Sequence, residues 1–419
     1  MCAQVKHRVL LPLILTQALS AFNSNQLRAV LLILVSFRGL RAFGLSAETT
    51  VGLSTIFVVA PYVILSIPAG RICDRFSKTL VLRCCKGFEI AIFVVAALGL
   101  YSQSVPLILL CLLMTGVEAA IMGPAKLSVI PELAGTEHLV SANAWMSATN
   151  TAAILFGVIS GNLLITNDVP ISIIAVAGIA IAIAGFVSSL LIRSTTASAP
   201  RLSMKAGAFA LDFATSFSWL KRVPLAIAPI AGISWFWFQG AVNTTLFPLY
   251  VKQAVGQPES LVVALFVVAS AGVAAGALLC RMAGDRIQSA SVPLLAFALA
   301  AISGADLGFN GLTSVPGSAL RVLADIFLLA IATGFYIVPL AAALQAVAPE
   351  TERARFIGLC NTVIGFAMIL SGSTVILALN LDIEIGQMFF YGAVISGLIA
   401  FITLSNSLRA LQIHLKPEQ

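Results

Sequence analysis

Twelve apolar runs recur along the chain, and each is at least as long as the about 20 residues that a helix needs to cross a bilayer. An open backbone amide is costly in lipid, and the runs are too long for the alternating strands of a barrel, so they are predicted to be helices. The runs are 9–36, 50–70, 80–101, 105–126, 139–165, 170–192, 225–251, 260–280, 290–312, 319–345, 355–379 and 386–407. The sequence therefore predicts an all-α, polytopic membrane protein with twelve transmembrane helices.

The amino-acid composition fits a chain that lipid solvates along most of its length. Hydrophobic residues make up 59% of the chain and charged residues 10%, and the mean hydropathy is +1.03. The net charge of +7 comes from basic residues scattered over many short loops, whereas a nucleic-acid site needs them on one stripe. A lipid bilayer is therefore the predicted partner, and nucleic acid is not.

Basic residues beside the ends of the apolar runs set the orientation. One side of the membrane has only Arg38, Arg41 and Lys252. The other side has Lys6, Arg8, Arg71, Arg75, Lys78, Arg83, Lys126, Arg193, Arg201, Lys205, Lys221, Arg222, Arg281, Arg286, Arg353, Arg355, Arg409 and Lys416. Both termini of this multi-pass protein are therefore predicted to be cytoplasmic.

The sequence does not favour an enzyme. Its three histidines, His7, His138 and His414, are terminal or interfacial, so a buried histidine-dependent centre is not expected inside the membrane. The seven cysteines form no C-x-x-C pair, and no G-x-x-x-x-G-K-[ST] phosphate loop occurs. We therefore predict no catalytic residues, no metal site and no cofactor.

Internal repeats divide the chain into two halves. The string at 120–145 has a related copy at 337–361, and the two place Asn143 and Asn361 at matching helix starts. Such a parallel duplication is typical of transporters made of two bundles that rock against each other. The predicted domains are a six-helix bundle at 1–192, a cytoplasmic linker at 193–224 and a second six-helix bundle at 225–419.

The linker contains a candidate amphipathic helix. Phe209, Phe213 and Phe217 recur every four residues, and Leu220 continues their face. This pattern predicts a helix that lies flat on the cytoplasmic surface of the membrane. A flexible tether is the alternative.

A short motif follows the second run of each half. Gly70, Asp74 and Arg75 form a G-x-x-x-D-R motif that resembles the signature of the major facilitator superfamily. That resemblance implies alternating access and a role for the motif in closing the cytoplasmic face. Lys78 is the only basic residue that follows the motif closely, and it is expected to pair with Asp74 if the loop is helical. The second copy carries Gly284 and two further candidate gating residues, Asp285 and Arg286.

Four strings in order extend the resemblance: GPAKLSVIPEL, LVSANAWMSATNTAAIL, SWFWFQGAVNTTLFP and GFYIVPLAAALQ. Together they resemble the bacterial lysophospholipid transporter family over nearly the whole chain. The resemblance implies inward movement of lysophospholipid, chiefly lysophosphatidylethanolamine, across the bacterial cytoplasmic (inner) membrane. The chain stops at residue 419, so the acyltransferase that reacylates the product is expected to be a separate protein. The alternative function is export of amphipathic drugs or another small solute.

Polar residues inside the first run share one helical face: Gln17, Ser20, Ser24 and Arg28. Ser24 stands where the resembled family usually has an aspartate. If that aspartate serves ion coupling or amine recognition in the family, that role is expected to be altered here. Arg28 has the planar fork that suits a lipid phosphate. Its alternative role is an ion pair with Glu89 or Glu118 that holds helices together.

Glu118, Met122 and Lys126 are spaced by four residues in the fourth run. They present an acid, an adaptable apolar group and a base along one stripe, as a zwitterionic headgroup would need. Lys126 alternatively anchors its helix at the interface. Transport is expected either to run downhill without an ion gradient or to be coupled to one. In the second case, Glu118 is the candidate coupling carboxylate.

Local ion pairs are expected where opposite charges lie one turn apart. These are Lys86 with Glu89, and Arg321 with Asp325.

An aromatic run in the seventh apolar segment completes the candidate site. Trp235, Phe236, Trp237 and Phe238 are consecutive, so two are expected to face a cavity and two a neighbouring helix or lipid. Gln239 and Asn243 follow within about two turns. The predicted substrate residues here are Trp235, Trp237, Gln239 and Asn243, which together offer an acyl-chain slot and a polar end.

Overall fold

The computed structural model describes residues 2–36, 40, 44, 47–135, 138–250, 260–283, 291–312 and 319–415. Within these ranges the chain forms thirteen α-helices and a 3₁₀ turn at Pro224–Ala226. The helices are α1 (Cys2–Ser36), α2 (Ala47–Arg75), α3 (Lys78–Tyr101), α4 (Val105–Ala134), α5 (Leu139–Thr166), α6 (Ile171–Leu190), α7 (Ala206–Arg222), α8 (Ile227–Leu249), α9 (Ser260–Ala283), α10 (Ser291–Leu312), α11 (Ala319–Val347), α12 (Arg353–Asn380) and α13 (Ile385–Leu415).

The prediction of an all-α membrane protein is confirmed. Ten helices in the described ranges are long and apolar enough to cross a membrane. The runs predicted at 80–101 and 290–312 are helical as well, as α3 and α10. One helix, α7, matches none of the twelve apolar runs and lies in the predicted linker. Its contact with a membrane surface stays a prediction.

Two helix ends follow directly from local sequence chemistry. Ser77 caps α3, because its hydroxyl oxygen accepts a hydrogen bond from the backbone N–H of Leu80 at 3.4 Å. Gly135 ends α4 with a φ of +79°, a backbone conformation that glycine adopts without steric cost. The two residues between α2 and α3 are not helical, which changes the expected surroundings of Asp74.

The helices form two compact units. Unit 1 comprises Met1–Gly135, Ala153–Trp219 and Pro349–Thr362. Within it α2 and α3 pack against α4, α3 also packs against α6, and α1 contacts α4 and α6. The apolar core is formed mainly by α1, α3, α4 and α6 and includes Leu31, Phe93, Ile108 and Leu112.

Unit 2 comprises Thr136–Ala152, Leu220–Ala348 and Val363–Gln419. Within it α10 packs mainly against α13 and α9 against α11, while α8 contacts α11 and α13. Its core is built around Tyr250, Leu265, Leu307 and Phe389. The start of α5 thus belongs to unit 2 and the start of α12 to unit 1. The domain boundaries predicted from the sequence, at 192 and 225, stay a prediction.

Candidate functional site

The predicted polar face of α1 is continuous, because α1 runs unbroken past all of its members. Gln17 is buried, and Ser24 and Arg28 are half-buried. The Ser24 hydroxyl donates to the backbone carbonyl of Ser20 at 2.9 Å. The Ser24 hydroxyl therefore donates its proton within its own helix. It offers no negative charge at the position where the resembled family usually has an aspartate.

A buried ion pair lies next to this face. Lys86 and Glu89 form the predicted pair, which is confirmed, with side chains that are 0% and 3% exposed. The Ser20 hydroxyl accepts from the Lys86 ammonium at 3.0 Å and donates to Glu89 Oε2 at 2.7 Å. Glu89 is thereby neutralised, so it is a poor candidate for a ligand-binding carboxylate.

Glu118 is in a different situation. It is buried in α4, and within the described residues its Oε1 accepts no hydrogen bond. The Ser20 hydroxyl oxygen also lies 4.0 Å from the sulfur of Met122, one turn further along α4. Lys126, a further turn on, is half-buried. A buried carboxylate oxygen without a donor is costly, and this makes Glu118 the acid of unit 1 best placed to receive a cationic group.

Unit 2 contains an open pocket. Its empty volume is about 670 Å³, which includes the solvent-filled space at its mouth. Its walls come from α8, α10, α11 and α13. They comprise Trp235, Phe236, Gln239, Gly240, Asn243, Ala300, Leu329, Ala332, Thr333, Tyr336, Phe389, Ala393, Ser396 and Ala400. The surface is mostly apolar, with amide and hydroxyl groups interspersed.

Hydrogen bonds fix the polar side chains of this pocket. The indole of Trp235 donates to the Ser396 hydroxyl at 3.1 Å, and the Gln239 amide donates to Asn243 Oδ1 at 2.9 Å. Trp237 is 38% exposed and lies outside the walls of this pocket, so its role as a substrate residue stays a prediction. Consecutive residues on a helix point about 100° apart, so Trp235 and Phe236 line the pocket and Trp237 turns away.

The predicted gating motif lies in unit 1, at the start of α12. The buried Asp74 carboxylate accepts hydrogen bonds from Arg355 Nε at 3.1 Å and from the backbone N–H of Ala354 at 3.2 Å. It thus binds both a guanidinium and the positive end of a helix dipole. Gly70 permits this approach, since a Cβ there would lie 2.6 Å from the carbonyl oxygen of Ala354.

Lys78 does not pair with Asp74 as expected. Its fully buried ammonium forms an ion pair with Glu132 at 2.6 Å and donates to the hydroxyl of Ser198. The expected pairing needed a helical loop, whereas α2 ends at Arg75 and α3 begins anew at Lys78. Arg75 is half-buried at the end of α2. The second copy of the motif, with Asp285 and Arg286, lies outside the described residues.

Sequence reasoning missed Asp212. This buried carboxylate in α7 receives two hydrogen bonds from Arg71, and a guanidinium nitrogen of Arg355 lies 3.8 Å away. Trp219, two turns further along the same face of α7, lies beneath the Arg355 guanidinium at 5.5 Å and against the ring of Phe356. We refer to Arg71, Asp74, Asp212 and Arg355 as the gate cluster.

The predicted aromatic face of α7 is only part of the helix surface. Phe213 is 43% exposed, whereas Asp212, Ser216 and Trp219 are buried. The buried face is therefore polar and aromatic, and the phenylalanine face lies beside it.

In unit 2 the repeated asparagine at the start of α5 meets an amide that sequence reasoning also missed. Asn143 donates to Gln345 Oε1 at 2.8 Å, and Gln345 donates back to Asn143 Oδ1 at 3.0 Å. Both side chains are buried. A glutamine within an apolar run was the available signal, but its partner is 202 positions away.

Replacing Asn143 with Ala is expected to lower stability by about 1–3 kcal/mol, because it leaves the buried Gln345 amide without its partner. The double variant Asn143→Ala/Gln345→Leu should recover part of that loss. Thermal unfolding of the purified protein would measure both effects. Two additive losses in the double variant would contradict the reciprocal pairing.

Comparisons with known proteins agree with this architecture. The family model described as Major Facilitator Superfamily matches residues 10–372. The chain is 27% identical to "Lysophospholipid transporter LplT" of Serratia proteamaculans over 338 residues, which cover 81% of the chain and 80% of that protein. The protein of the same name from Yersinia enterocolitica is 27% identical over 345 residues, covering 81% and 79%.

Solved structures show the same fold at low identity. The human organic anion transporter MFSD10 (TETRAN) superposes with a TM-score of 0.72 at 13% identity, covering 97% of this chain and 99% of that one. FucP in its outward conformation gives 0.70 at 12% identity, covering 97% and 98%.

Proposed function

The chain belongs to the Major Facilitator Superfamily, and from that premise we propose that it transports lysophospholipid. Its relatives with that printed name match it over most of their length. We propose inward movement, from the outer to the inner leaflet of a bacterial inner membrane, by alternating access and with both termini in the cytoplasm. Lysophosphatidylethanolamine is the proposed substrate, and a separate acyltransferase is the proposed consumer of the product.

The unit 2 pocket is the observation that carries the proposal. A lysophospholipid has a single acyl chain, and the apolar walls around Trp235, Leu329 and Phe389 suit it. The amide pair of Gln239 and Asn243 suits the polar ester and hydroxyl groups next to that chain. A sugar transporter would instead need hydrogen-bonding groups on most of the pocket wall.

Unit 1, taken by itself, contains charged residues that suit a zwitterionic headgroup. We propose that Glu118, whose buried Oε1 has no donor among the described residues, receives the headgroup ammonium. Arg28 and Lys126 are the proposed partners of the phosphate, and Gln17 and Ser24 line the same face of α1. Arg28 suits a phosphate better than a lysine does, because its fork donates two parallel hydrogen bonds.

Uptake of labelled lysophosphatidylethanolamine into reconstituted vesicles tests the proposed function. The wild-type protein should accelerate appearance of the label in the far leaflet, and empty vesicles should not. An amphipathic cationic drug should compete weakly. Drug transport without lysophospholipid transport would overturn the proposal in favour of an exporter.

Arg28→Ala is expected to weaken apparent affinity for the lysophospholipid, because it removes a charge-assisted contact worth about 1.5–3 kcal/mol. This corresponds to roughly ten- to a hundredfold. Arg28→Lys keeps the charge without the fork and should have a smaller effect. An unchanged apparent affinity in Arg28→Ala, in protein that elutes as the wild type does, would remove Arg28 from the site.

A further inference from the structure

Unit 2 contains a group of charged side chains that belongs neither to the proposed substrate site nor to the gate cluster. Arg321 of α11 donates two hydrogen bonds to the Asp306 carboxylate of α10, one from Nε to Oδ2 at 2.8 Å and one from a terminal nitrogen to Oδ1. The sequence had suggested Asp325 as the partner of Arg321. The structure gives Arg321 a partner on another helix, and Asp325 needs a different account.

Asp325 is a buried carboxyl group that this ion pair does not neutralise. Its side chain is 8% exposed, and its Oδ2 accepts no hydrogen bond within the described part of the chain. Its carboxyl group lies within hydrogen-bonding reach of the Asp306 carboxyl. Two carboxylates so close together repel each other unless a proton or cation lies between them.

The neighbouring elements provide no further positive charge among the residues that the structure describes. From α8, the Tyr250 hydroxyl faces the group but donates its proton to the carbonyl of Leu307 at 2.9 Å. The surrounding core residues from α9, α12 and α13 are apolar and comprise Leu261, Leu265, Val375, Ile385 and Phe389. Two carboxylates and one guanidinium leave a net charge of −1, which a single proton cancels.

The side of this group that contains the ion pair is open to the surface of unit 2. The Asp306 and Arg321 side chains are 28% and 50% exposed, whereas Asp325 is on the buried side of the pair. A proton on the Asp325 carboxyl would turn two repelling carboxylates into a donor and an acceptor. It would also remove an uncompensated charge from the apolar core.

Helix geometry connects this group with the unit 2 pocket. On α8, Asn243 lies seven residues before Tyr250; on α11, Ala332 lies seven residues after Asp325. Residues seven apart share a helix face and are about 10 Å apart along the axis. Phe389 lines the pocket and packs edge-on against Tyr250, with ring centroids 4.9 Å apart.

We propose that Asp306 and Asp325 share one proton, and that the charge state of this pair is linked to the shape of the unit 2 pocket. Loss of the proton forces the two carboxylates apart. Because α8 and α11 also form the pocket walls, that movement reaches Trp235 through Tyr250 and Phe389. The proposed ligand of this site is therefore a proton, supplied by water on the exposed side of Arg321.

Infrared titration of the full-length protein in nanodiscs tests the shared proton. The wild type should show a protonated-carboxyl band that disappears as pH rises. Asp325→Asn and Asp306→Asn should each lose that band, because the one remaining carboxylate is balanced by Arg321. Glu384→Gln, at an exposed acid of the same unit, should keep it. Asp325→Glu should also keep it, which guards against a folding defect.

Fluorescence of Trp235, with the other tryptophans replaced by Phe, tests the link to the pocket. Its emission should shift over the pH range in which the infrared band disappears, and Asp325→Asn should abolish the shift. A band that persists in both aspartate variants overturns the shared proton, and a flat emission overturns the link. Neither measurement uses a transported molecule, so failure here leaves the proposed transport function standing.

Discussion

Replacing Asp74 with Asn is expected to make the thiol of Cys73 react about a hundredfold faster with a water-soluble maleimide. Cys73 is 0% exposed and lies beside the gate cluster, so it reports any opening there. Removing one partner of a buried ion pair costs about 3–5 kcal/mol. The lower end applies here, because Glu352 and Asp212 also lie near Arg355, at 3.3 Å and 3.8 Å.

The measurement needs a background in which the other cysteines are replaced by Ser. Cys360 of α12, 2% exposed, provides a second reporter on the other side of the contact. Asp382→Asn, at an exposed acid, is the matched control and should change neither rate. Arg355→Gln should reproduce most of the effect of Asp74→Asn, and the two changes together should cost little more than one. Equal labelling of wild type and Asp74→Asn would show that the motif only assists folding.

The sequence predicted features that depend on one helix at a time. Apolar run length gave the helices, and charge spacing within α3 gave the Lys86–Glu89 pair, because residues three apart are neighbours on a helix. The face of α1 followed from the same periodicity. These predictions hold because helix geometry alone determines which side chains are adjacent.

Contacts between helices were not predictable in this way. Asp74 meets Arg355 across 281 positions, and Arg71 meets Asp212 across 141. The four-residue spacing along the chain offered Lys78 as the partner of Asp74, and that choice was wrong. Hydrophobic periodicity on α7 likewise emphasised its phenylalanines, although the buried face contains Asp212.

The gate cluster gives α7 a structural role that its predicted place in a linker did not suggest. Arg71 is 6% exposed, and Asp212 is its bidentate partner. Asp212 also lies near Arg355, which already binds Asp74. Two buried guanidinium groups therefore share two buried carboxylates, one from α2 and one from the linker helix. Neutralising the linker carboxylate should disturb the contact of α12 with α2 as well as that of α7.

Asp212→Ala is accordingly expected to release α7 and to raise tryptic cleavage after Lys221 and Arg222 by roughly a hundredfold, because it leaves Arg71 buried without its partner at a cost of about 3–5 kcal/mol. Both basic residues are exposed at the end of α7. Trypsin cleaves the chain only while α7 is transiently unfolded. If α7 refolds faster than it is cleaved, the cleavage rate reports the population of the unfolded form.

Ser218→Ala, on the exposed face of the same helix, is the control and should leave cleavage unchanged. The variant Asp212→Asn/Arg71→Gln replaces both charges by amides that can bond to each other, and it should restore most of the protection. If Asp212→Ala accelerates Cys73 labelling as well as cleavage, α7 takes part in holding the gate cluster closed. Cleavage at the wild-type rate in Asp212→Ala would mean that Trp219 and its apolar contacts hold α7 without the ion pair.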